Sequence, residues 1–127
     1  MSYTKWIGVD FDGTLAYYDR WQGTSLGEPI PLMLERVKHW LAQGIEIRIL
    51  TARVSSRNQV MRLSKGEEMW ESEAHRAAIE AWCEKHLGQK LVVTAEKDFQ
   101  MSELWDDRAV TVEKNTGRCM TIFQGND

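Results

Sequence analysis

The sequence predicts an α/β fold in which crossover helices connect the strands of a central, mostly parallel sheet. Short apolar runs alternate along the chain with longer segments whose apolar residues repeat at helical spacing. That alternation is typical of parallel sheets. Polar and charged residues follow directly after the apolar runs. Because ligands of such folds bind beyond the carboxyl ends of the strands, these residues mark the expected site.

The first half of the chain contains two predicted strands and one predicted helix. Residues 5–11, KWIGVDF, have the composition of a short buried strand. Residues 16–31 hold two glycines and both prolines, which indicates a loop or a small hairpin. Pro31 can begin a helix, and we expect that helix to end near Gln43. Residues 45–50, IEIRIL, form the second strand.

The second half begins with a polar and basic segment, residues 54–66. A long helix is predicted over residues 67–87, where alanines and tryptophans repeat at helical spacing. Residues 91–95, LVVTA, form a third strand, and residues 103–107, ELWDD, end a fourth. The apolar residues of segment 110–122 flank a turn sequence, which predicts a terminal hairpin.

Length and composition favour a single domain, residues 1–127, in a reducing compartment. A chain of 127 residues can bury one core without disulfides. Its two cysteines, Cys83 and Cys119, form no CxxC pattern, and we expect two buried free thiols. We find neither a signal peptide nor an apolar run that could span a membrane, so we expect a cytoplasmic protein with no membrane partner. A net charge of −3 argues against general nucleic-acid binding but leaves a local basic patch open.

The tryptophans and histidines have structural interpretations. Three tryptophans at helical spacing are expected in the core, namely Trp40, Trp70 and Trp82. Trp21 is instead expected to be exposed near the site. The three histidines fall in helical segments, so we expect them away from the strand ends and assign none as a metal ligand: His39, His75 and His86.

Four carboxylates are predicted to converge on one edge of the sheet. Asp10 and Asp12 follow the first strand, and Asp106 and Asp107 follow the fourth. Converging carboxylates repel one another unless a cation lies among them. Carboxylate oxygens suit Mg²⁺. Backbone N–H groups near Gly13, with polar side chains after the second and third strands, could bind an anion beside that cation, which suggests phosphoryl transfer.

The same residues resemble the motifs of the haloacid-dehalogenase (HAD) superfamily. DFDGTL, residues 10–15, is similar to the first motif, DxDGT. Thr51 in ILTAR matches the second motif, and Lys97 in TAEKDF is the best match to the third, with Lys90 as the alternative. Asp106 and Asp107 in LWDDRAV match the acidic fourth motif. The likeness covers residues 5–113 and implies a three-layer, Rossmann-like fold.

The resemblance implies a role for each motif residue. Asp10 would be the nucleophile, and Asp12 would protonate the leaving group and then activate water. An aspartate at this second position is typical of phosphatase members. Thr51 would hydrogen-bond the phosphoryl oxygens, and Lys97 would neutralise charge.

The resemblance also implies a metal site and substrate contacts. Mg²⁺ would be held by Asp10, the backbone carbonyl of Asp12, and Asp106 or Asp107. The remaining motif residues are predicted to contact substrate: Gly13, Thr14, Ala52 and Arg53.

The intervals between motifs are too short for a large cap domain. Residues 16–30 suit a small flap with Tyr17, Tyr18, Arg20 and Trp21 near the mouth of the site. The basic loop, residues 54–66, is either a solvated loop or a mobile lid that brings positive charge to the substrate. Its charged side chains are Arg57, Arg62 and Lys65, with Arg53 just before it.

These features predict a Mg²⁺-dependent phosphomonoester hydrolase acting on a small phosphorylated substrate. The basic loop keeps a second enzyme open, a polynucleotide phosphatase or nucleotidase whose substrate is a nucleotide or a nucleic-acid end. A non-catalytic phosphate-binding or interaction module is the alternative from another class. The sequence does not choose an oligomeric state.

Overall fold

A computed structural model describes residues 4–55, 60–62, 66 and 68–121. It contains a four-stranded parallel sheet, a separate antiparallel pair of short strands, and two α-helices. The α/β prediction is therefore confirmed, and the sheet fits a Rossmann-like fold. No helix in these ranges is both long and apolar enough to cross a membrane.

The parallel sheet consists of β1 (Trp6–Val9), β2 (Glu46–Leu50), β5 (Val92–Thr94) and β6 (Met101–Trp105). Their order across the sheet is β5-β2-β1-β6. All four residues of β1 are buried, as expected for an interior strand. Since β1 lies between β2 and β6, the residues that follow these three strands meet at one edge.

The first helix, α1 (Pro31–Ala42), begins and ends as predicted. Proline occupies its first turn, where a missing N–H costs no hydrogen bond. Met33 and Val37 are buried, and Trp40 packs partly buried against the same core. The apolar stripe of α1 thus covers the sheet.

The second helix, α2 (Glu71–Leu87), begins later than predicted. The preceding residues pair as β3 (Val60–Arg62) and β4 (Glu68–Trp70), which are antiparallel. Trp70 has an extended backbone and is 37% exposed, so its predicted place in the core is wrong. Trp82, deeper in the same helix, is buried as expected and packs edge-on against Phe11.

The flap between β1 and α1 is a tight, irregular hairpin. Ala16 forms an antiparallel bridge with Pro29, and the Tyr17 N–H donates to the Glu28 carbonyl at 2.8 Å. A Cβ on Gly27 would lie 1.9 Å from the Tyr17 carbonyl oxygen, so the two backbones approach too closely for any other residue.

The end of the described chain forms a hairpin-like turn, in agreement with the sequence. Val112 bridges Cys119, and Asn115 in the turn has a φ of 67°. Cys119 is exposed, so the expectation of two buried thiols is wrong for this residue. Cys83 is buried, and burial raises the pKa of its thiol to about 12.

Candidate active site

Asp10 is positioned by the sheet and by the turn that follows β1. Its N–H donates to the Trp105 carbonyl at 2.9 Å, which continues the pairing of β1 with β6. Next to it, the Phe11 side chain is completely buried and fixes the chain in the core. The Phe11 carbonyl accepts hydrogen bonds from the backbone N–H groups of Thr14, Leu15 and Ala16. The carboxylate of Asp10 is therefore held at the edge of the sheet by a well-bonded backbone.

Gly13 and Thr14 connect this turn to the end of β6. Gly13 has a φ of +85°, and a Cβ there would lie 2.7 Å from Oδ2 of Asp107. The Thr14 hydroxyl lies 3.4 Å from Oδ2 of Asp10 and 3.1 Å from Oδ1 of Asp107, and it accepts from the Asp107 N–H at 3.0 Å. Glycine is needed at position 13 because the second acidic segment packs directly against it.

Three carboxylates form an acidic cluster. Asp10, Asp106 and Asp107 each offer an oxygen, and these oxygens all lie within 4.8 Å of one another. The pKa of Asp10 is raised to about 7, first by burial and then by the charges of Asp106 and Asp107. A cation among the three would remove this repulsion, so the cluster has the charge and the oxygen ligands of a divalent metal site.

The Asp12 carboxylate points to an arginine, and the acidic cluster does not include it. Nε of Arg53 donates to Oδ2 of Asp12 at 2.6 Å, and Nη2 donates to Oδ1 at 2.9 Å. This is the two-pronged geometry of a strong arginine–carboxylate pair. The Arg53 side chain is only 5% exposed, so solvent screens the pair weakly. Both carboxylate oxygens of Asp12 therefore accept hydrogen bonds from Arg53.

His75 holds Arg53 from the other side, and the sequence did not indicate this role. Its Nδ1 lies 3.0 Å from Nη1 of Arg53, which also donates to the Gly23 carbonyl at 2.6 Å. Arginine has no acceptor, so Nδ1 of His75 accepts and the ring is neutral. Burial, followed by the charge of Arg53, lowers the pKa of His75.

The expectation that every histidine lies away from the strand ends is wrong for His75. It is buried on α2 and reaches the segment after β2 through Arg53. A histidine beside a helix's apolar stripe is common in cores, so only the tertiary contact reveals its role. His86, on the same helix, packs against Trp82 instead, with the two rings tilted by 58°.

Thr51 follows β2 and is buried. Its hydroxyl accepts from the Arg53 N–H at 3.2 Å, which caps a short 3₁₀ helix, Ala52–Val54. Its own N–H donates to the Thr94 carbonyl at 2.9 Å, so β5 holds it in place. The cap thus holds the backbone of Arg53 beside Thr51.

A cavity of about 460 Å³ unites most of the predicted residues. Its volume is in the range of small-molecule sites. Asp106 belongs to the acidic cluster beside it, and Gly13 and Thr14 line an adjoining depression. The cavity is lined by Asp10, Asp12, Tyr18, Trp21, Thr51, Ala52, Arg53, Asp107 and Arg108. Trp21 is 55% exposed there, as the sequence predicted.

The structure does not bring Lys97 to this cavity. The segment between β5 and β6 contains no helix and runs directly back to the amino end of the sheet. Asp98 accepts from the Trp6 indole at 2.8 Å, and Trp6 begins β1, whereas Asp10 follows its last residue. Lys97 is the exposed neighbour of Asp98. Lys90, the alternative, precedes β5 and so also lies toward that end.

The basic loop is described only in part. Arg57 and Lys65 lie outside the described residues, and Arg62 is described only as part of the backbone of β3. The choice between a solvated loop and a lid therefore stays a prediction. Two other basic residues, Arg53 and Arg108, do line the cavity.

Comparison with known proteins supports the fold. No protein-family model and no curated protein matches the chain. A solved structure of a conserved protein coded by a locus of Bacteroides thetaiotaomicron is similar, with a TM-score of 0.54 and 20% sequence identity. The match covers 85% of this chain and 79% of that chain. At this identity the likeness shows a shared fold alone.

Proposed function

We propose that this protein is a Mg²⁺-dependent phosphomonoester hydrolase that forms an aspartyl-phosphate on Asp10. The observation that carries the proposal is the juxtaposition of two differently arranged carboxylates beside one cavity. Asp10 belongs to the acidic cluster, whereas Asp12 is paired with Arg53. Two neighbouring carboxyl groups in different environments can perform different chemical tasks.

In the first step, a carboxylate oxygen of Asp10 attacks phosphorus and the bond to the leaving oxygen breaks. Asp12 donates a proton to that oxygen, which departs as an alcohol. In the second step, Asp12 takes a proton from water, and the water oxygen attacks the phosphorus of the aspartyl-phosphate. Inorganic phosphate leaves and Asp10 is regenerated. Thr51 and the two arginines of the cavity supply donors to phosphoryl oxygens.

The pair of Asp12 with Arg53 favours the second of these steps. With both oxygens accepting from the guanidinium, Asp12 is in the form that takes a proton from water. The first step requires a proton on Asp12, which is taken up from solvent before the first turnover, returned by the attacking water in each second step, and replaces one of the two arginine contacts. Arg53 is thereby freed to turn one N–H toward the phosphoryl group.

The acidic cluster fits Mg²⁺ as the resident cation. Asp10, Asp106 and Asp107 supply carboxylate oxygens at one point, the ligands that this ion prefers. When bound, Mg²⁺ would supply positive charge to the phosphoryl oxygens. Without a cation, burial and the charges of Asp106 and Asp107 raise the pKa of Asp10 to about 7, which favours the protonated carboxyl, a poor nucleophile. The ion would also neutralise charge on the phosphoryl group, so we expect activity to depend on it.

The remaining parts of the assignment follow from the same residues. We propose that the Rossmann-like sheet is a three-layer HAD-type fold without a large cap. Arg53 supplies the positive charge that was expected from Lys97. Lys97 itself has no role in this mechanism. The free thiols of Cys83 and Cys119 support a reducing, cytoplasmic setting.

Hydrolysis of p-nitrophenyl phosphate tests the proposal. Wild type should release p-nitrophenol with Mg²⁺ and cease to do so in excess chelator. Asp10→Asn should lower kcat by several orders of magnitude, as expected for loss of a covalent nucleophile. Glu96→Gln is the matched control, because Glu96 is an exposed carboxylate outside the cluster. It should retain wild-type activity.

The assignment fails if Asp10→Asn retains kcat within about tenfold of wild type, since about 1.4 kcal/mol is too little for a covalent nucleophile. It also fails if chelator leaves the wild-type rate unchanged.

A further inference from the structure

Two aromatic side chains of the flap line the cavity beside the carboxylates. Trp21 is 55% exposed and Tyr18 is 44% exposed. Isolated exposed aromatic residues are common and need no explanation. Phe99, completely exposed between β5 and β6, is an example in this chain. Trp21 and Tyr18 differ because both border the same concave site.

The Trp21 ring is held in place by buried groups. The Arg53 guanidinium lies 4.4 Å from the ring centroid, and the His75 ring centroid lies 5.3 Å away at a tilt of 56°. Both partners are themselves buried, Arg53 at 5% and His75 at 3% side-chain exposure. Two buried side chains thus hold the Trp21 ring, while more than half of the surface of Trp21 stays exposed to solvent.

The anchoring group also contacts one of the two reacting carboxylates, that of Asp12. Arg53 hydrogen-bonds to Asp12, which lies two residues from Asp10 in the sequence. Its guanidinium also packs on the Trp21 ring. One arginine therefore links the indole to the proposed acid–base residue of the site. Trp21 contacts Arg53, Arg53 contacts Asp12, and Trp21 and Asp10 line the same cavity. A ligand that touches both ends needs a spacer between its ring and its phosphate.

We infer that Trp21 and Tyr18 form an aromatic shelf for the base of a nucleoside monophosphate whose phosphate is held at Asp10. The sugar supplies the spacer, and the cavity volume of about 460 Å³ suits a ligand of this size. Any nucleotide base can stack on an aromatic side chain, because every base has a π face. The dianionic phosphate meets Arg53 and Arg108. This inference rests on the proposed function for the placement of the phosphate.

Equilibrium binding measurements test the aromatic shelf independently of catalysis. Titration calorimetry with Mg²⁺ and the Asp10→Asn protein compares adenosine 5′-monophosphate with ribose 5-phosphate, which carries a hydroxyl in place of the base. The nucleotide should bind about tenfold or more tightly, as expected for one stacked base. Adding Trp21→Ala should bring the two dissociation constants together, and Trp21→Phe should preserve most of the difference. Adding Phe99→Ala, the control, should leave the ratio unchanged.

The inference is overturned if both ligands bind equally to the Asp10→Asn protein, a comparison that needs no further variant. It is also overturned if Trp21→Ala weakens both ligands by the same factor, because the ring would then act on the phosphate end alone. Nucleotide preference without hydrolysis by wild type would support the shelf and contradict the phosphatase. Equal hydrolysis of both compounds, with equal binding, would support the phosphatase and contradict the shelf.

Discussion

Asp10 should make the metal-free protein less stable as pH rises. Its pKa is about 7 in the folded protein, against an ordinary value of 3.8. Below pH 3.8 the carboxyl is protonated in both the folded and unfolded states, and it has no effect on stability. Between these values the unfolded chain ionises while the folded protein keeps its proton, so the free energy of unfolding falls as pH rises. Above about pH 7 both states are ionised and the loss is complete.

The structure sets the size of this effect. The gap between 3.8 and about 7 corresponds to at most about 4 kcal/mol, since one pKa unit is worth about 1.4 kcal/mol. Asp10 is only partly buried, so relaxation and water should reduce the loss to about 2 kcal/mol. Asp10→Asn removes the ionisation and with it this part of the pH dependence.

Urea unfolding in chelator, at pH 4.5 and pH 8, measures the effect. Between the two pH values, the free energy of unfolding of wild type should fall by about 2 kcal/mol more than that of Asp10→Asn. Glu96→Gln should follow wild type. Adding Mg²⁺ at pH 8 should stabilise wild type more than Asp10→Asn, because bound ligand stabilises the folded state. An identical pH dependence in wild type and Asp10→Asn would refute the electrostatic account of the cluster.

Two further substitutions test how the site is built. Gly13→Ala should destabilise the protein by about 1 kcal/mol more than Gly44→Ala, as measured by urea unfolding. Both glycines have positive φ, but only at position 13 does the added Cβ meet Asp107; nothing lies within 4 Å at position 44. His75→Phe should cost about 1–3 kcal/mol and lower kcat, because it leaves a buried donor of Arg53 without its acceptor. His75→Asn should restore much of both, and equal losses in the Phe and Asn variants would contradict a role for that hydrogen bond.

The position of Asp10 was predictable because two short-range signals agree there. The apolar run before it predicts a buried strand, and the glycine after it predicts the turn that exposes the carboxylate. The four segments that follow the strands were also expected to meet. Three of them do so, after β1, β2 and β6.

The location of Lys97 could not be read from the sequence, because it depends on the direction of a connection. Alternating strands and helices suggested that the residues after β5 would stay at the carboxyl edge. The segment after β5 lacks a helix and returns at once to Trp6, where Asp98 is held by the indole. The local sequence TAEKDF contains no signal for that path.

The partners of Arg53 could not be predicted from the sequence either, because they lie on separate elements. Its partners lie on the flap, on the turn after β1, and on α2. Helical spacing identifies the apolar stripe of α2 but does not show which polar side chain beside it faces a distant arginine. The late start of α2 has a similar origin, since Glu68–Trp70 pairs with a strand rather than extending the helix.

Chemical trapping of the intermediate tests the central claim most directly. Wild-type protein is mixed with a phosphorylated substrate and Mg²⁺, quenched in acid, and treated with borohydride, which reduces an acyl phosphate to an alcohol. Peptide mass spectrometry should then find homoserine at position 10 and unmodified aspartate at position 12. Protein mixed with the dephosphorylated product should contain unmodified aspartate at both positions. Reduction at another carboxylate, or substrate hydrolysis with no reducible intermediate at Asp10, would contradict the account.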